Sequence, residues 1–336
     1  MTVKKGCEVA VNTCMGVNPN DKAVIVADSQ SEDIAKKLKE TILEITPHLR
    51  YFNLDIYGKR PLKNFPKSIK KAADDATVTF WTASAVEGEL ETIRGPFLKA
   101  AIHQGRHAHM VDITEEIVKT GLTGDYNQVE KFTNDMYSYF KNKEEIKVTS
   151  DAGTDFTVNV GKYKWVATTG ILHDNGSWNN LPDGMVYTVP QSARGTAVID
   201  GTIGDYFSNK YSLSRIENNP VKIQIEDGRP PKAKEIRCDD EELESDIREF
   251  LSRNKESSYF GEIGFGTNLS VKKLVGSIYL DEKSPGVNIA FGHPNEDMTL
   301  AGWTCPEHLD MVIQNCDVWV DGEKMMENGE YIDGIV

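Results

Sequence analysis

The chain has 336 residues, 39% of them hydrophobic and 27% charged, enough to bury a substantial core and to form two domains rather than a disordered or fibrous polymer. Its 52 acidic against 38 basic residues give a net charge of -14, which argues against a nucleic-acid partner, whose affinity rests on Lys and Arg neutralising phosphates. No apolar run approaches the roughly 20 residues that span a bilayer, no signal-peptide core follows Met1, and Cys7, Cys14, Cys238, Cys305 and Cys316 lack CxxC spacing, so a cytoplasmic protein with free thiols and no membrane partner is expected.

Residues 22–28 carry the apolar run Ala23-Val24-Ile25-Val26-Ala27, which suits a strand buried on both faces of a parallel sheet. Residues 31–46 place Ile34, Leu38, Ile42 and Ile45 at helical spacing, and Pro47 ends the run. Further strands are expected at 49–56, 77–82 and 107–111, and further helices at 66–76, 87–104 and 126–142, with Gly95-Pro96 marking a kink or a helix start. This alternation predicts an α/β domain over 1–148 built on a doubly wound, mainly parallel sheet. The pattern then changes to short strand-like runs broken by Gly, Asn and Asp, at 146–149, 155–160, 184–189, 195–203, 221–226 and 318–320. One helix interrupts them at 239–252, with an acidic first turn that suits the helix dipole. Residues 149–336 are therefore expected to form an α+β domain rich in antiparallel strands.

The residues with chemistry to offer gather between 259 and 313. Glu262 stands in Tyr259-Phe260-Gly261-Glu262-Ile263-Gly264-Phe265-Gly266, where glycines let backbone approach backbone. In 307–313, strand alternation puts His308 and Asp310 on one face and Leu309 and Met311 on the other. One imidazole and two carboxylates converging in this way make a hard-to-borderline metal site. His293 is a further candidate ligand, or else a loop residue before Pro294. A zinc site on Cys305, His308 and Cys316 is the alternative to reading those cysteines as small buried hydrophobes. Glu282 is a candidate general base acting on metal-bound water, or a plain ion-pair partner of Lys283, which would otherwise steer an anionic group. Tyr187 and Tyr259 are candidate donors to a developing oxyanion, against the commoner job of aromatic packing. Arg194, expected in a loop after Pro190, is a candidate clamp for a carboxylate. His107 and His109 lie at the end of a parallel strand, where ligands of open sheets collect, but satisfied structural histidines are the plainer reading. Trp178, Trp303 and Trp319 are read as core or pocket walls.

The ordered runs Asn180-Leu181-Pro182-Asp183-Gly184-Met185, Gly261-Glu262-Ile263-Gly264-Phe265-Gly266-Thr267-Asn268, Asp281-Glu282-Lys283, Gly286-Val287-Asn288-Ile289-Ala290-Phe291-Gly292 and His308-Leu309-Asp310 resemble those of the M29 superfamily. It comprises thermophilic leucyl aminopeptidases of the aminopeptidase T and S type and also 2,5-dihydroxypyridine 5,6-dioxygenase-like members. The aminopeptidases hold two ions on two glutamates, two histidines and an aspartate. The resemblance thus implies ligand roles for Glu262, His308 and Asp310, with Met185 where a glutamate is expected and Asn288 where a histidine is expected. It implies a metal-dependent hydrolase that removes N-terminal residues from peptides or cleaves a related small amide, using zinc, cobalt or manganese at a degenerate or single-metal site. Met185, Asn288, Lys283 and Arg194 would then contact substrate. The alternative is a mononuclear non-haem iron(II) dioxygenase or lyase acting on a small (hetero)aromatic ring, whose pattern has a histidine where this chain has Glu262. A third reading is a metal-free, non-catalytic relative. The resemblance also implies a homo-oligomer, a dimer or larger, and a small-molecule or peptide substrate.

Overall fold

The computed structural model describes residues 2–335, and its first half is organised by the apolar run that the sequence marks as buried on both faces. β1 (Ala23–Ala27) has every residue buried. It lies between β2 (Leu49–Asn53) and β3 (Val78–Trp81), and β4 (Arg106–His109) follows β3, all parallel. The strand Trp178–Asn180 adds a fifth parallel member beside β4. The order β2-β1-β3-β4 means that the chain steps outward once and then crosses back past β1. With right-handed crossovers that reversal sends the connecting helices to opposite faces, the doubly wound arrangement.

Helix Glu32–Leu43 buries Ile34, Leu38 and Ile42 as its spacing predicts. The single helix expected over 87–104 is two pieces, a π-helical turn Leu90–Arg94 and an α-helix Gly95–Ala101. Pro96 sits in the first turn of the second piece, where its missing N–H breaks no bond. Arg106 is buried against Asp21 (Nη2 to Oδ2, 2.7 Å) and donates to the carbonyls of Met15 and Gly16. Arg60 bridges Asp28 and Glu89 at 2.6 Å each. His107 Nδ1 lies 2.8 Å from Thr79 Oγ1 and its Nε2 lies 3.1 Å from His109 Nδ1. Burial pushes both imidazoles to lower pKa, as for neutral, hydrogen-bonded structural histidines.

The chain divides into two compact units. The first runs as far as Glu130 and regains Gly170–Asp183, while the second holds Lys131–Thr169 and Gly184–Val336. The sequence suggests a contiguous division at 148/149, whereas the strand Trp178–Asn180 pairs in the first unit and Glu145–Thr149 pairs in the second.

The second unit contains two antiparallel sheets. The larger has eight strands in the order Lys232–Arg237, Val221–Glu226, Ser192–Ile199, Asp155–Asn159, Glu145–Thr149, Asp317–Val320, Glu323–Glu327, Glu330–Tyr331. The smaller has five: β5 (Val166–Thr168), β6 (Met185–Thr188), β7 (Phe260–Gly266), β8 (Gly286–Gly292) and β9 (His308–Ile313), ordered β9-β8-β7-β6-β5. Side chains of both sheets share one core, in which Phe156, Ile199 and Ile223 meet Phe260, Ile263, Ile289, Phe291 and Met311. Phe265 and Trp165 each stack on Phe140 with centroids 4.6 Å apart. Helix Glu241–Ser252 is capped by Asp240, whose Oδ1 accepts from the Leu243 amide at 3.1 Å. All five cysteines are free thiols, and four are buried. Cys316 belongs to the core and Cys305 bonds Glu307 and Ser257, so these two do not join His308 in a zinc site. No helix of the described residues is long and apolar enough to cross a membrane.

Candidate metal centre

The face of the five-stranded sheet turned away from that core is where Glu262, His308 and Asp310 meet. On β9 alternation sends Leu309, Met311 and Ile313 into the core and His308 and Asp310 to the other face. On β7 the register shifts between Phe260 and Glu262. The extra residue, Gly261, lets Phe260 enter the core while Glu262, two positions on, faces the opposite way. A Cβ on Gly261 would lie 2.5 Å from the Gly292 carbonyl oxygen. Across the strands Glu262 pairs with Ala290 and Ala290 with Asp310, while Gly292 pairs with His308. The small Ala290 on the middle strand leaves the space over which the two acids approach.

The next row across the sheet is Tyr187, Gly264, Asn288 and Val312. A Cβ on Gly264 would stand 2.4 Å from Asn288 Oδ1, and one on Gly266 would stand 1.8 Å from the Ser284 carbonyl oxygen. The glycines of this run are therefore clearances for neighbouring groups. The run is a strand with a bulge.

Among the described residues, Glu262, His308 and Asp310 offer one ligand atom each, all within 4.8 Å of one another. Glu262 is 2% exposed. Its Oε2 accepts from Asn295 Nδ2 at 2.8 Å, and its Oε1 lies 3.5 Å from Asn288 Nδ2. His308 Nδ1 lies 2.7 Å from the His293 carbonyl oxygen and its Nε2 lies 2.9 Å from Asp310 Oδ1; both partners accept, so both ring nitrogens donate in the ion-free site, and Nε2 is the one whose proton a metal ion would displace. A backbone carbonyl holding the far nitrogen of an imidazole is the support that metal-ligating histidines use.

The electrostatics are those of a site short of positive charge. Burial, and then the nearby Asp310 charge, push the Glu262 carboxyl up to about 8. Burial opposes a charge on His308, but Asp310 and then Glu262 outweigh it and carry the imidazole to about 10. Burial raises Glu282 to about 7 against the pull of Lys283, with Asp310 adding to the rise. A divalent cation among these groups would relieve the repulsion and take the lone pairs that protons otherwise occupy, so the donor set fits a metal ion.

Glu282 and Lys283 are both buried, with Nζ 2.7 Å from Glu282 Oε1; they form an interior pair and not a surface one. Met185 faces them, with Sδ 4.0 Å from Lys283 Nζ and 3.6 Å from Asn288 Nδ2. Asn288 is 1% exposed, and its Oδ1 is buried without a hydrogen-bond partner. Tyr187 sits two residues beyond Met185 on β6, buried with Met185 and Val166. His293 stands outside the three-residue group. It supplies its carbonyl to His308, and its Nδ1 accepts from the Asn295 amide at 2.9 Å. Tyr259 precedes β7 with its ring edge-on to Trp303. Arg194 is not in a loop: it lies exposed in the strand Ser192–Ile199 of the larger sheet, opposite Thr157. Asn295 is the residue that sequence reasoning missed. Its left-handed φ of 52° after Pro294 is a conformation that Asn tolerates well, the one signal available beforehand.

A family model described as NicX, 2,5-dihydroxypyridine 5,6-dioxygenase, matches residues 124–333. The sequence is 26% identical over 208 residues to a 2,5-dihydroxypyridine 5,6-dioxygenase of Pseudomonas putida, a match covering 57% of this chain and 55% of that relative's length. The fold is similar to that of 2,5-dihydroxypyridine dioxygenase from Pseudomonas putida (TM-score 0.70, 18% identity, 98% of this chain and 97% of that one). It is also similar to wild-type AmpT from Thermus thermophilus (TM-score 0.68, 14% identity, 98% of both chains). The two structural likenesses, with the antiparallel second unit and the parallel first, bear out the α/β architecture expected from the sequence.

Proposed function

The chain belongs to the 2,5-dihydroxypyridine 5,6-dioxygenase family, and from that premise we propose that it is a metal-dependent enzyme that opens a small dihydroxylated heteroaromatic ring with dioxygen. It uses one divalent ion, iron(II) first among the candidates, on Glu262, His308 and Asp310. The observation that carries the reading is that single ligand group of one imidazole and two carboxylates, bordered by Met185 and Asn288 where a second ion would need a carboxylate and an imidazole. A thioether and a neutral amide are poor ligands for a hard or borderline dication.

Bound there, the ion supplies Lewis acidity and open positions for substrate and oxygen. The chain's own residues do the rest. His308 is oriented by the His293 carbonyl and Glu262 by Asn295. Glu282, its carboxyl near neutral pKa, exchanges a proton with a substrate hydroxyl, and Lys283 holds it in place. Asn288 Oδ1 accepts from a ring N–H or hydroxyl, and Met185 and Tyr187 wall the ring. Glu262 replaces the second imidazole of the usual iron triad, which makes the centre more negative and richer in oxygen donors, so manganese(II) is the natural competitor.

A second reading is favoured by Glu282 alone. A buried carboxyl poised at about 7 beside the ligands is also what a metallohydrolase needs to take a proton from metal-bound water, with zinc, cobalt or manganese as the ion and a peptide N-terminus as substrate. Anaerobic loading with iron(II) followed by oxygen uptake with 2,5-dihydroxypyridine separates the two. Uptake that disappears in Glu262→Ala and His308→Ala is expected. No uptake, together with hydrolysis of aminoacyl anilides by the zinc, cobalt or manganese form, would replace the first reading by the second.

A further inference from the structure

Beside the three ligands lies a buried ammonium. Lys283 is 3% exposed, with its Nζ on Glu282 Oε1 and in contact with Met185 Sδ. Met185 Sδ touches Asn288 Nδ2, which in turn lies 3.5 Å from Glu262 Oε1. The ammonium, the thioether and the amide thus form one continuous wall that ends at a ligand carboxylate.

Charge buried in a low-dielectric interior has to be matched at close range, because an uncompensated ion there loses its hydration with nothing to replace it. Glu262, Glu282 and Asp310 bring three negative charges into this volume and Lys283 brings one positive charge, a difference of two. With His308 as a neutral ligand, one divalent cation closes the balance. A second would leave two positive charges in excess.

We propose that Lys283 fixes the ion stoichiometry of this centre at one, its tethered ammonium supplying the positive charge that a second cation would otherwise bring. The inference rests on the metal-centre reading above and extends it from which side chains hold an ion to how many ions they admit. Glu282 faces the ammonium instead of an ion, and Met185 offers that side of the wall no hard donor. Met185→Glu alone therefore places its new carboxylate against Lys283, which pairs with it, and the centre still takes one ion. Met185→Glu combined with Lys283→Met adds one negative charge and removes one positive charge, a change of two, which one more divalent ion matches.

The test uses manganese(II) alone as probe. Metal-free full-length protein is loaded, separated from free metal, and assayed for manganese per chain and by electron paramagnetic resonance. One ion with the spectrum of an isolated centre is expected for the native protein and for Met185→Glu. Two ions with a spin-coupled spectrum are expected for Lys283→Met/Met185→Glu and for Lys283→Gln/Met185→Glu, each checked for folding by circular dichroism. Two ions in the native protein or in Met185→Glu overturn the proposal even if neither double variant folds, and so does one ion in a folded double variant. Failure of every form to retain manganese, zinc or iron is a different result, which removes the metal-centre reading and this inference with it.

Discussion

Loading the centre with a metal ion should release the protons of two ligands, joined below about pH 7 by that of Glu282, and the affinity should show it. In the ion-free site Glu262 is protonated up to about 8 and His308 up to about 10; both must give up that proton to act as ligands. Each displaced proton contributes about tenfold in apparent affinity per pH unit. Below pH 8 both ligand protons count, and Glu282, raised to about 7, gives up its own as it ionises beside the ion, so affinity for manganese(II) should rise at least about 100-fold between pH 6 and pH 7. Between about 8 and 10 only His308 still carries its proton, and the rise should fall to about tenfold per unit. Glu262→Gln removes one of the ligand protons along with a ligand charge, so binding weakens overall and its rise from pH 6 to 7 shrinks by a factor of about ten. Competition against a chelating dye measures the affinities, and calorimetry in two buffers of different ionisation enthalpy counts the protons. An affinity that is flat from pH 6 to 7, or an unchanged slope in Glu262→Gln, would refute the reasoning.

Arg106→Met strands the Asp21 carboxylate in the interior and leaves the Met15 and Gly16 carbonyls without their donor; a loss of about 3–5 kcal/mol is expected from urea unfolding, and a loss under about 1 kcal/mol would show that the pair is not buried as described. Burial opposes ionisation of Asp21 and Asp28, but hydrogen bonds from Arg106 and Thr77 to the first, and from Ser84 and Ser31 to the second, hold both below the usual carboxylate range. Their contribution to stability is therefore present above the unfolded value of about 3.9 and is lost as pH falls through the lower folded values. Denaturation midpoints that stay constant from pH 5 down to pH 2 would contradict this. Gly266→Ala drives a Cβ into the Ser284 backbone oxygen, so a cost of about 3 kcal/mol or more, or failure to fold, is expected by thermal melting; a melting temperature within two degrees of native, roughly, would refute it.

How much of this was legible beforehand differs from element to element. The run 23–27 announced β1 because a strand buried on both faces needs continuous apolar residues, and His308-Leu309-Asp310 announced its own two faces by alternation. Both are local signals. Helix Val3–Glu8 gave no such signal: its buried residues Val3, Gly6 and Cys7 include a glycine that costs helix propensity and is needed for closeness, since a Cβ there would meet Val118 Cγ1 at 2.4 Å. The strand Trp178–Asn180 is three polar or exposed residues long, and only its parallel partner β4 makes it a strand. The bulge at Gly261 was hidden for a related reason. Glu262 and Phe260 share parity in the sequence, so alternation alone would have put both in the core or both in the site. Arg194 reads as a loop residue because Pro190 and Gly195 look like loop punctuation, whereas a Cβ on Gly195 would lie 2.6 Å from Phe156 Cα, so this glycine marks the close approach of two paired strands.

In the proposed centre Glu262, His308 and Asp310 share one cation. Anomalous diffraction from crystals of the iron-loaded protein, recorded on both sides of the iron edge, tests it most directly. One peak per chain is expected, within about 2.0–2.3 Å of a carboxylate oxygen of Glu262, Nε2 of His308 and a carboxylate oxygen of Asp310. A peak elsewhere, or none between these three side chains in a fully loaded crystal, would contradict it.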